Sequence, residues 1–320
     1  MASIRDVARK ADVSFITVSR VINTPEKVSL KTQEKVKRAM EELNFSINPI
    51  AKALAINKTQ VICVYIPDHI EIRNFYVMEL ISGISQVCST NFYSFLIIRN
   101  FDNDIACDGY IITGVNEKEL KTIKHYADEK ERKIVFFGET KLKVDCIDVD
   151  NYSGAKEIVD YLQGNGHKQI GMISVEEERE SKFVKDREEG YLEVMGRDHA
   201  ADIFYTQNNI ESAYLSAFQL LDKEEYTAFF CATDVIALGL IRACNEMNKK
   251  VPEHISVAGF DGFGYQNMTI PHVTTMQQPV FDIGKMLTET LIMRVKGGEE
   301  EKISLIEDAS FCDGDSVRKI

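Results

Sequence analysis

The sequence predicts an all-α N-terminal domain of helix-turn-helix type, followed by a two-lobed α/β core with parallel sheets. Three observations carry this. Residues 1–58 read as short, capped helices; from Thr59 onward short apolar strands alternate with helices; and that alternation runs as two similar series that divide near Asp150.

The N-terminal elements follow in order. Ile4 to Ala11 is a short helix, and a turn falls at Asp12-Val13. Ser14 then caps a second helix. On it Thr17, Val18 and Val21 share one side, suited to packing on the first helix. Phe15, Ile16, Ser19, Arg20 and Asn23 share the other. That mix of hydroxyl, guanidinium, amide and apolar groups suits base edges and thymine methyls. After Thr24 to Val28, Ser29 caps a third helix, Leu30 to Leu43, with an apolar stripe of Val36, Ala39, Met40 and Leu43. Asn48 and Pro49 mark the start of a further helix over residues 48–56. So short a helix is marginal alone in water and needs a partner.

In the core, Gln60–Pro67 reads as a buried strand and Phe75–Ser89 as a helix. Strands at Ser94–Ile98, Gly109–Thr113 and Lys133–Phe137 and a helix at Lys118–Asp128 complete the first series. The second has helices at Tyr152–Gly164, Asp186–Met195, Ile210–Leu221 and Val235–Met247, interleaved with strands at Gln169–Ser174, Ile203–Thr206, Ala228–Cys231 and Ser256–Phe260. Such alternation implies parallel sheets.

Charge and cysteine usage narrow the function. The net charge of −12 is unevenly spread: residues 1–58 carry a balance of +5 and residues 59–320 one of −17. A basic head on an acidic body can dock on phosphates, because local charge sets the contact. Seven cysteines, at 63, 88, 107, 146, 231, 244 and 312, show no CxxC or Cys/His spacing. Buried reduced thiols are expected, with no metal. No apolar run suits a membrane span, and the chain start has no signal-peptide core, so a cytoplasmic protein is expected. No phosphate-binding Gly-rich loop and no nucleophile–base pair can be assembled, so neither a cofactor nor an enzyme activity is expected.

The chain resembles the lactose/galactose-repressor family of bacterial transcription regulators. In the head, Val7-Ala8, Ala11, Val13-Ser14, Thr17 to Val21, Asn23, Val28-Ser29, Lys35-Val36, Ala39-Met40, Glu42 to Asn44, Asn48, Ala51 and Leu54-Ala55 fall at family spacing. In the body, Asp150 to Gly154, Gly166-His167, Arg187, Gly190-Tyr191, Asp234, Val251-Pro252, Gly259-Phe260-Asp261 and Thr274-Thr275 with Gln278-Pro279 match. The resemblance implies a periplasmic-binding-protein-like core and a head with hinge helix over 1–58. It places the first lobe at about 59–150 and 278–305 and the second at about 151–277 and 306–320. It also implies a homodimer on a near-palindromic operator, controlled by a small-molecule effector, most simply a sugar. The rival readings are a cytoplasmic sugar-binding module without a DNA role, and a regulator controlled by a protein partner. Three departures stand out. Asp12 replaces the family's usual turn glycine, the path Arg99–Asp108 leaves little room for a flanking helix, and Cys312 to Ser316 lacks the usual arginine.

The resemblance puts Phe15, Ile16 and Arg20 against operator bases, with Ser14, Thr17, Ser19 and Asn23 serving bases or phosphates. The alternative, a merely solvated face, sits poorly with two exposed apolar residues beside an arginine. Composition alone leaves Leu54 open between a linker residue packed on the body and a minor-groove wedge. The resemblance implies the wedge, flanked by Ala51 and Lys52. It implies effector contacts from Arg187 and Asp261, and its pocket loop brings in Asp68, Asn74 and Tyr76. Thr233 and Asp234 open a helix after a strand, where open α/β sheets bind ligands, although an N-cap role explains Asp234 as well. Ile210 is expected in the core, His167 as a structural turn residue, and Glu176 to Glu180 as solvated surface.

Overall fold

The computed structural model describes residues 3–23, 27–45, 58–101, 103–176, 181–222, 225–298 and 301–320. The chain divides into two compact units, Met1–Val61 with Ile105–Asp108, and Ile62–Asp104 with Gly109–Ile320.

In the first unit, α1 (Ile4–Lys10), α2 (Phe15–Asn23) and α3 (Leu30–Glu42) enclose a small core of Val7, Ala8, Ala11, Val18, Val21, Val36 and Ala39. Ser3 and Asp6 form a capping box on α1, and Ser29 accepts from Thr32 N at the start of α3. Asp12 turns with φ +47, the left-handed conformation for which a glycine is the easier residue. The helix expected over 48–56, with Ala51, Lys52 and Leu54, lies outside the described residues.

The second unit holds two six-stranded sheets. The first sheet has the order β11-β5-β4-β3-β1-β2, from β1 (Val61–Tyr65), β2 (Ser94–Ile98), β3 (Gly109–Ile112), β4 (Lys133–Phe137), β5 (Asp145–Val149) and β11 (Ser304–Glu307). Helices α4 (Phe75–Asn91), α5 (Glu117–Glu129) and α10 (Val280–Val295) accompany it. The second sheet has the order β12-β10-β9-β8-β6-β7, from β6 (Ile170–Val175), β7 (Ile203–Thr206), β8 (Ala228–Cys231), β9 (Ser256–Asp261), β10 (Thr274–Gln277) and β12 (Ser310–Cys312). Its helices are α6 (Asn151–Gly164), α7 (Lys182–Met195), α8 (Ile210–Leu221) and α9 (Asp234–Glu246). The registered pairs are parallel except for β10 with β12.

The chain passes between the sheets three times, from β5 into α6, from β10 into α10, and from β11 into β12. The last passage comes later than the sequence suggests. Ile306 and Glu307, expected in the second lobe, pair with Asp148 and Val149 in the first sheet. Arg294 of α10 secures this end: it donates to both oxygens of Asp145, at 2.7 and 2.9 Å, while Ile303 N donates to Asp145 Oδ1 at 2.8 Å.

The short path after β2 forms no helix among its described residues. Phe101 fills the space instead, with its ring 4.8 Å from Tyr65, 5.4 Å from Tyr110 and 5.3 Å from Tyr126. Asp104 is held by Lys130 at 2.7 Å and Arg132 at 3.0 Å. Ile210 is not a core residue: it opens α8 with 38% of its surface exposed, because Asn209 caps the helix at the molecular surface. His167 is structural, buried between Thr227 Oγ1 at 2.9 Å and Arg318 O at 3.1 Å, and burial lowers its pKa.

Helices α4 and α10 touch through glycines: a Cβ on Gly83 would run into the Phe281 carbonyl, and one on Gly284 into the Leu80 carbonyl. Gly83→Ala is therefore expected to cost about 1–3 kcal/mol of stability. Exposed Ser82→Ala should stay within about 0.5 kcal/mol. Urea unfolding of both variants checks this, and equal midpoints would contradict the close approach.

Candidate functional site

Two surfaces concentrate the chemistry, one in each unit. In the head, Ser14 Oγ accepts from Thr17 N at 3.0 Å and shares a 2.8 Å hydrogen bond with Thr17 Oγ1, which fixes the first turn of α2. Val18 and Val21 are buried, while Phe15 and Ile16 are 50% and 60% exposed. Arg20 is exposed on the same outward side and Ser19 is half-buried. Thr17 is half-buried near the helix start. Two large apolar side chains turned to solvent beside a guanidinium can meet thymine methyls and a guanine edge.

In the body, each sheet follows the 2-1-3-4-5 strand order, so each has one place where successive connections diverge. These places lie beyond the ends of β1 and β3 in the first sheet, and of β6 and β8 in the second. Ligands bind at such crevices. At the first, Tyr76 Oη is 2.6 Å from Thr113 Oγ1, just beyond β3, and its ring lies 5.5 Å from Phe137 at the end of β4. At the second, Arg187 donates to Ala232 O at 2.5 Å, just beyond β8. Arg187 also donates to Asn151 Oδ1 at 2.9 Å and Asp261 Oδ1 at 3.3 Å, with its guanidinium 3.9 Å from the centroid of Phe260. Gln278 Nε2 donates to the same Asp261 oxygen at 2.7 Å.

The residues expected at the effector site thus part company. Arg187 and Asp261 form one network, and Tyr76 stands at the matching crevice of the other lobe. Thr233 caps α9 and donates to Asn208 Oδ1 at 2.8 Å. Asp234 lies beneath the surface, fully buried, accepting from Thr275 Oγ1 at 2.6 Å and Gly262 N at 2.8 Å. Burial, and then the neighbouring Asp261 carboxylate, raise its pKa. Its role is to hold the Gly262 backbone. Asn74 caps α4 by accepting from Tyr76 N, so its side-chain oxygen is already engaged. Asp68 pairs with Arg99 at 2.9 Å and is 83% exposed, drawn outward by that guanidinium. Asn151 and Gln278 belong to the Arg187–Asp261 network but had no assigned role in the sequence. Asn151 and Gln278 sit in the motifs quoted above, which was their only signal. Among the described residues no group of three His, Cys, Asp or Glu side chains is placed to hold a metal ion.

Residues 3–48 match the model of bacterial regulatory proteins of the lacI family, and residues 159–317 that of the periplasmic binding protein-like domain. An uncharacterized HTH-type transcriptional regulator of Bacillus subtilis, YvdE, is 35% identical, over 92% of this chain and 93% of its own. The chain belongs to the lacI family of bacterial regulatory proteins. A second lacI-family relative, the HTH-type transcriptional repressor PurR of Vibrio campbellii, is 31% identical over 94% of each chain. The lac repressor dimer bound to operator and the anti-inducer ONPF shares the fold with a TM-score of 0.79 at 23% identity, over 99% of each chain. A CelR–cellobiose complex does so with a TM-score of 0.72 at 22% identity, over 99% of this chain and 100% of the other. As a lacI-family member, the chain is a DNA-binding transcriptional regulator and not an enzyme.

An ionic cluster joins the lobes beside the crevice. Lys182 at the start of α7 lies 3.2 Å from Glu139, which follows β4, and 2.5 Å from Asp186. Asp148 of β5 is near all three, and burial pushes its carboxyl pKa up from 3.8 to about 6. Between those values the folded chain keeps a proton that the unfolded chain has released, so stability falls as pH rises through this window and then levels off. Asp148→Asn keeps the side-chain oxygen that accepts from Val149 N and removes this slope. Urea unfolding across the window should therefore show the variant gaining on the wild type as pH rises. Parallel profiles would contradict the buried carboxyl.

Proposed function

We propose that the protein is a dimeric repressor whose α2 reads half of a near-palindromic operator and whose body takes a sugar effector between its lobes. The observation that carries this is the two-sided α2, with Val18 and Val21 buried and Phe15, Ile16 and Arg20 outward. Phe15 and Ile16 meet thymine methyls, and Arg20 pairs with a guanine edge. Ser14, Thr17, Ser19 and Asn23 bind phosphates and neighbouring bases. Ala51, Lys52 and Leu54 supply the minor-groove contact at the operator centre, Leu54 as the wedge.

Arg187, Asp261, Asn151 and Gln278 offer donors and acceptors to hydroxyls, and Tyr76 offers a ring for the apolar face of a sugar. The relative described as a ribose operon repressor, and the family structures with bound cellobiose and ribose, favour that ligand class. Effector binding changes operator affinity through linkage, where ~1–3 kcal/mol of coupling gives roughly 5–150-fold regulation. The seven cysteines are free thiols, and six of them are buried. Among the described residues, no helix is long and apolar enough to cross a membrane.

A gel shift on DNA upstream of the protein's own gene tests the DNA reading. Retardation is expected to weaken steeply with salt, and Arg20→Ala should cost ~1–3 kcal/mol, or about 5–150-fold, with relaxed preference at one base pair. Absence of retardation at low salt would overturn the proposal.

A further inference from the structure

The apolar side of the crevice is already occupied by the protein itself. Phe263, on the loop after β9, packs against the hydrophobic core of the opposite lobe, with its ring 6.2 Å from that of Tyr76. Two residues on, Tyr265 lies 4.3 Å from Phe75 at the start of α4. Both pairs cross from the second lobe to the first, as does the ion pair between Lys182 and Glu139.

The loop that presents Phe263 is held in an uncommon shape. Asp261, Gly262 and Gly264 have φ of +128, +69 and +105. A side chain at Gly262 would collide with Gln277. Such a backbone persists only where its surroundings over-determine it. Here Gly262 N donates to buried Asp234 at 2.8 Å, Gly264 N donates to Gln266 Oε1 at 2.6 Å, and Gln266 Nε2 returns to Gly262 O at 3.3 Å. Asp261 is held by Arg187 and Gln278. The backbone is therefore pinned, and the Phe263 side chain is the part that can leave by rotating.

We propose that Phe263 is a built-in occupant of the crevice. Its ring rests beside Tyr76, with Tyr265 on Phe75, and this clasp holds the two lobes together. An effector binds by turning Phe263 out and placing its own apolar face on Tyr76. The residue thus selects against ligands that are polar on every face, since these cannot replace the ring contact.

The chain contains no tryptophan, so Phe263→Trp makes a single reporter in the full-length protein. Without ligand or DNA, its emission should be blue-shifted and its quenching by acrylamide weaker than that of free tryptophan. Adding Tyr265→Ala removes one ring pair and should raise quenching, because the closed-to-open ratio falls by roughly two- to tenfold. Quenching equal to that of free tryptophan, or unchanged by Tyr265→Ala, would overturn the proposal. If circular dichroism shows that Phe263→Trp does not fold, small-angle scattering of wild type and Tyr265→Ala decides. A larger radius of gyration in the variant supports the clasp, and identical radii refute it. Neither measurement involves DNA or effector, so a negative result leaves the regulator reading intact.

Discussion

The three passages of chain between the two sheets are the constraint on which the body depends. Each sheet is built around its own apolar core, yet neither can be completed by a continuous stretch of sequence. β11 closes the first sheet only after the chain has left and returned, and β12 closes the second only after that. The passages tie together the ends of the strands, so the crevices of the two lobes open toward the same side. Arg187 and Tyr76, more than a hundred positions apart in the chain, each stand at the crevice of their own lobe, and the proposed effector site draws on both. The Arg187–Asp261 pair then gains its importance from burial: a guanidinium 3% exposed must be paired, and its partners Asn151, Ala232 and Asp261 come from three different strand ends or helix starts.

The head works by a different economy. Its core is a handful of small aliphatic side chains, enough to orient α2 and too little to bury Phe15 or Ile16. Those residues stay on the surface at a solvation cost that DNA binding would relieve. A head of this size, with a local charge balance of +5, offers one recognition helix, which is why a paired arrangement and a hinge contact are part of the proposed function. The acidic body adds no nonspecific attraction for phosphates.

Elements whose physics is local were legible in the sequence. Helix caps at Ser14 and Ser29, the valine pair of α2, and the apolar runs that became β1, β3 and β8 all follow from spacing alone. Asp12 was legible as a turn residue through the family's usual glycine at that place, and its left-handed backbone is one that Asp can adopt at some cost. Helix α10 was harder to see, since Gly284 breaks its apolar stripe at the point where α10 meets α4, and only the close approach explains it. Phe263 was invisible for a related reason: one phenylalanine between two glycines reads as loop, and its partners lie in the other lobe. Asp68 and Asn74 were assigned to the site by a loop resemblance; Asp68 pairs with Arg99 and Asn74 accepts from Tyr76 N at the helix start. Asn151 and Gln278 carried a motif without a role, because the oxygens and hydrogens they exchange with Arg187 and Asp261 are long-range contacts.

The central claim is that occupancy of the crevice governs operator affinity. Operator titrations with and without each member of a sugar panel, in the wild type and in Arg187→Met, test it most directly. At least one sugar should shift the wild-type affinity by roughly 5–150-fold and leave the variant's affinity unmoved. A shift of the same size in both proteins would contradict the account.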